Sequence, residues 1–140
     1  MLKDEIQEEI NRLKRQISNY EKDKNKAVNE QKDLISVIDK IGKKANEIED
    51  GLQQTLTTID IRLSKVNQNS KFPEFYRNAA RERILNSKSS NALSETKAAV
   101  QSGKKKCAEY DELIQHYSSL IRNCENEVEQ LRRKLSEAVE

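Results

Sequence analysis

Proline occurs once in this chain, at Pro73, and glycine three times, at Gly42, Gly51 and Gly103. A β-rich or loop-rich domain of 140 residues needs many more of both for its turns. Tryptophan is absent and aromatic residues make up only 4%, so a compact globular core lacks its bulkiest material. Two cysteines are too few for a disulfide scaffold. The single histidine, His116, has no neighbours spaced for a catalytic triad or a histidine metal site. Neither a glycine-rich phosphate loop nor a cysteine cluster for zinc is present. The carboxylates are scattered, so the expectation is no enzyme, no cofactor and no metal.

Other classes are excluded by pattern. No apolar run approaches membrane-spanning length, so no membrane span is expected. Met1-Leu2-Lys3-Asp4-Glu5 is not a basic region followed by an apolar one, so no cleaved leader is expected. The protein is expected in the cytoplasm, or exported by a route that needs no such leader. Lysine and arginine number 26 against 24 aspartates and glutamates. The two signs are interspersed, which argues against a nucleic-acid partner. The runs Lys104-Lys105-Lys106 and Arg132-Arg133-Lys134 both have acidic neighbours and read as solvated faces.

What is abundant is helix-forming, charged sequence with a narrow apolar stripe. From Ile6 the apolar positions run Ile6, Ile10, Leu13, Ile17, Tyr20, Ala27, Leu34, Ile38, Ile41, Ala45, Ile48 and Leu52. Steps of four and three make a heptad seam, with Lys24 and Gln31 as polar intruders that set register. A second seam starts at Leu93. It continues through Val100, Gly103, Cys107, Tyr110, Ile114, Tyr117, Ile121, Cys124, Val128, Leu131 and Leu135. Cys107 and Cys124 lie about 25 Å apart on one such helix and cannot bond each other. Gly42 and Gly51 weaken the first helix by about 1 kcal/mol each relative to alanine.

Between the seams stands Asn67-Gln68-Asn69-Ser70-Lys71-Phe72-Pro73. Pro73 disfavours helical dihedrals at Phe72 and suits the first turn of a new helix. A chain that turns there brings the seams together antiparallel: Ile10 with Leu131, Leu13 with Val128, Ile41 with Val100, and Gly103 with Ile38. Gln31 is expected opposite Tyr110, and Lys24 opposite Tyr117. The predicted fold is therefore all-α, a long antiparallel coiled-coil hairpin in one domain, 1–140. Arm one covers about 3–67, the turn 68–72 and arm two about 73–139. The segment 86–91, poor in helix formers, either interrupts or kinks arm two.

One seam buries little, and Ile35, Leu113 and Leu120 lie beside it. They suggest a second apolar surface, completed into a four-helix bundle by a partner. Phe72, Phe75 and Tyr76 cluster at the turn. They either plug the end of the hairpin or form a contact patch, since aromatics often anchor interfaces. These six residues are the candidate partner-binding set.

A long helix, a mid-chain turn with the aromatic segment Lys71-Phe72-Pro73-Glu74-Phe75-Tyr76, and a coiled-coil tail from Ile121 to Leu135 resemble the WXG-like small helical proteins. The nearer resemblance is to helpers encoded beside LXG-domain toxins of Gram-positive type VII secretion systems. Phe72-Pro73-Glu74 stands where that family has Trp-x-Gly. The family's tyrosine followed four residues later by an acidic residue does not occur. The resemblance implies a targeting factor or chaperone that binds the helical N-terminal domain of a toxin, or a second small helical helper that supplies the missing signal. The alternative is a structural coiled-coil adaptor or spacer that homodimerises.

Overall fold

A computed structural model describes residues 2–64 and 72–138. Three helices follow one another: α1 (Lys3–Ser64), α2 (Phe72–Leu85) and α3 (Lys88–Glu137). No strand occurs among the described residues. The fold is all-α, and α1 and α3 pack against each other as a hairpin. The predicted turn, 68–72, falls almost wholly outside the described residues. The chain divides into two compact units. One comprises Met1–Leu34 with Lys105–Glu140, and the other Ile35–Lys104.

The first unit holds the best-buried apolar cluster. Ile6, Ile10, Leu13, Cys124 and Val128 form it, with Ile17, Tyr20, Leu131 and Leu135 packed around. Leu13 and Val128 thus meet as the heptads require, and side chains from the a and d stripes of both helices interdigitate. The polar intruder Gln31 spans the two helices. Its Nε2 donates to the Cys107 carbonyl at 3.0 Å and to Asp111 Oδ1 at 2.7 Å. The Tyr110 hydroxyl, expected opposite Gln31, donates instead to Glu30 Oε2 at 3.1 Å. The Tyr117 ring lies 6.5 Å from that of Tyr20.

In the second unit the partners are Ile38 and Gly103, as the seam predicts. A Cβ at Gly103 would lie 2.6 Å from Ile38 Cγ1. Two ion pairs join the helices nearby, Lys97 with Glu49 at 3.5 Å and Arg81 with Asp60 at 2.6 Å. Both are largely exposed, so each contributes little to stability.

The segment 86–91 interrupts the helix only at Asn86 and Ser87. Ser87 is the N-cap of α3. Its carbonyl accepts from the Asn91 amide at 3.1 Å, and its Oγ accepts from the Ser90 amide at 3.2 Å. The same Oγ donates back to the Ile84 carbonyl at 2.6 Å, closing the end of α2. One hydroxyl therefore satisfies orphan groups of two helices. We expect Ser87→Ala to cost about 1 kcal/mol and Ser87→Thr to recover most of it, measured by urea unfolding. Equal losses for the two variants would remove the cap from the account.

Candidate functional site

Long helices with one shared seam leave two flanks to solvent. The site question is which apolar residues those flanks carry and what charges frame them. In the second unit, α2 presents Phe75, 68% exposed, and Tyr76, 49% exposed. Their rings meet edge to face with centroids 5.8 Å apart. Tyr76 and Ala80 from α2 and Ile59 and Arg62 from α1 line an open apolar depression beside them. The Arg81–Asp60 pair bridges α2 and α1 at this point. The Phe72 side chain lies outside the described residues.

Ile35 belongs to the second unit too, on α1, and is 44% exposed. Leu113 and Leu120 belong to the first unit, on α3. Leu113 is exposed and Leu120 half-buried. With Tyr117, Leu113 borders a shallow depression whose other wall is Asp23, Lys26, Ala27 and Glu30 of α1. Phe75 and Tyr76 therefore lie together on α2 and Leu113 and Leu120 together on α3, while Ile35 stands apart on α1, about 36 Å along that helix from Ile59. Sequence reading treated Tyr117 as seam core. It is half-buried and also lines this flank, because a tyrosine is longer than the seam is wide. Ile59 and Ala80 went unremarked as site residues. The signal for Ala80 is its place four residues after Tyr76, on the same face of α2.

No group of three histidine, cysteine, aspartate or glutamate side chains among the described residues could hold a metal ion. No described helix is long and apolar enough to cross a membrane. His116 is exposed, with its ring 6.0 Å from that of Tyr117. Lys104, Lys105 and Lys106 all point to solvent, and Lys106 pairs with Glu109 at 3.2 Å. Burial pushes the Cys124 thiol above its ordinary range, so it stays protonated and behaves as a small hydrophobe. The hydrogen bond to Glu30 raises the Tyr110 phenol as well. The hydrogen bond from Arg12 lowers the Glu9 carboxyl. Comparison with protein-family models, with curated proteins and with solved structures gives no match to this chain.

Proposed function

We propose that this protein is a non-enzymatic partner for other helices, with the Phe75–Tyr76 surface of the second unit as its client contact. The exposure of Phe75 is the observation that carries this reading. A phenylalanine two-thirds open to water, beside an apolar depression and a second aromatic ring, suits a hot spot that is buried only on binding. The depression runs between two helices, and a third amphipathic helix fills such a groove with side chains one turn apart. The client is the helical N-terminal domain of an LXG-type toxin, and the protein acts as its targeting factor or chaperone for type VII secretion. Support for that identity is the resemblance of the turn segment and tail to helpers of this kind.

Co-expression with such a domain, encoded by a neighbouring gene, tests the reading. The two chains are expected to co-purify as a stable complex. Phe75→Asp is expected to weaken it by about 2 kcal/mol or more, roughly thirtyfold in Kd. Survival of the complex unchanged would remove Phe75 as an anchor. The structural-spacer reading draws on a different observation, the exposure of Leu113 in the first unit. A tight homodimer indifferent to any client would favour it.

A further inference from the structure

We infer that the α3 flank bearing Leu113, Tyr117 and Leu120 is a self-association surface, taking the same flank of a second copy in antiparallel orientation. The surface lies entirely within the first unit and shares no residue with the proposed client contact. Failure of either proposal leaves the other standing.

The stripe is defined by position and contact. Leu113, Tyr117 and Leu120 follow at steps of four and three, so they share one side of the helix. One heptad before Leu113 stands Lys106, whose ammonium lies 5.6 Å from the Tyr110 ring centroid. One heptad after Leu120 stands Glu127, close enough to Arg12 of α1 to stabilise its charge. The opposite flank of α3 is occupied differently, by Asp111 bonded to Gln31.

The order along the stripe is lysine, leucine, leucine, glutamate, evenly spaced. Reversed, it is its own complement. When an antiparallel copy places Leu113 against Leu120 of its mate, Lys106 comes against Glu127 of the mate, and symmetry repeats each contact. Tyr110 then faces Asn123, and His116 faces Tyr117, near the two-fold axis. No like charges meet on this stripe. Opposite charges at both ends of an apolar centre are what selects the antiparallel register over others.

Sedimentation equilibrium of the full chain with charge-reversal variants tests this. Lys106 and Glu127 are both exposed, so Lys106→Glu and Glu127→Lys keep the fold. The parent is expected to dimerise. Each single variant is expected to dimerise at least about tenfold more weakly, since two exposed attractive pairs become repulsive. Mixing the two variants restores both pairs within a heterodimer, and affinity is expected to return to the parental value. Leu120→Asp is expected to abolish dimers. A monomeric parent, single variants as tight as the parent, or a mixture no tighter than its components would each overturn the proposal.

Discussion

Leu13→Ala is expected to lower stability by about 2–5 kcal/mol. Leu13 is 2% exposed and packs within the cluster of Ile6, Ile10, Cys124 and Val128. A coiled-coil seam is one side chain deep, so a cavity there opens toward both helices and neither can collapse onto it without shifting register. The loss is a large share of the roughly 5–15 kcal/mol that holds an ordinary domain folded. Ile35→Ala is the control. It removes a similar volume from a residue 44% exposed and is expected to cost about 0.5 kcal/mol or less. Urea unfolding followed by circular dichroism, at one fixed protein concentration, compares the two. Comparable losses at Leu13 and Ile35 would mean that the seam is not where the stability resides.

Alanine in place of glycine is expected to change stability in opposite directions at different positions of this chain. At Gly42 and Gly51 a new Cβ meets nothing within 4 Å. Each substitution should therefore gain the helix-propensity difference, about 1 kcal/mol. At Gly103 the same atom falls 2.6 Å from Ile38 Cγ1 and 2.8 Å from Cδ1, well inside the normal carbon contact of about 3.5–4.0 Å. Overpacking of this kind costs about 1–3 kcal/mol. It cancels or exceeds the propensity gain for alanine, and Gly103→Leu should lose about 3 kcal/mol. Ile38→Ala should relieve the clash, so the Gly103→Ala, Ile38→Ala double variant is more stable than the sum of its singles predicts. A gain at Gly103 equal to that at Gly42 would show that the two helices do not approach closely at Ile38.

Much of this arrangement was legible before any coordinates. The seam residues of α3 from Leu93 to Leu135 are those the heptad names, and Leu13, Val128, Ile38 and Gly103 find their predicted partners. Side-chain partners at the polar seam positions were less legible. Gln31 bonds Cys107 and Asp111, which bracket Tyr110 in the sequence. The Tyr117 ring lies 6.5 Å from that of Tyr20, which stands four residues before Lys24. The candidate contact residues were recognisable as apolar and off the seam. That Tyr76 lines one depression and Leu113 another was not, because heptad position says which side chains leave the seam but not which flank they join.

The sequence by itself determined that the chain is helical, where its helices bury themselves and which stretches face each other. Periodicity and the alternation of apolar with charged residues are properties of a one-dimensional string, and an antiparallel pairing follows from two such strings and a turn. Only the tertiary structure decided that Gly103 is pressed by a neighbour while Gly42 is not, and that Leu113 and Ala27 border one groove. Those outcomes depend on the rotation and stagger of one helix against another, set by the summed packing of many side chains, and no local stretch of sequence encodes them.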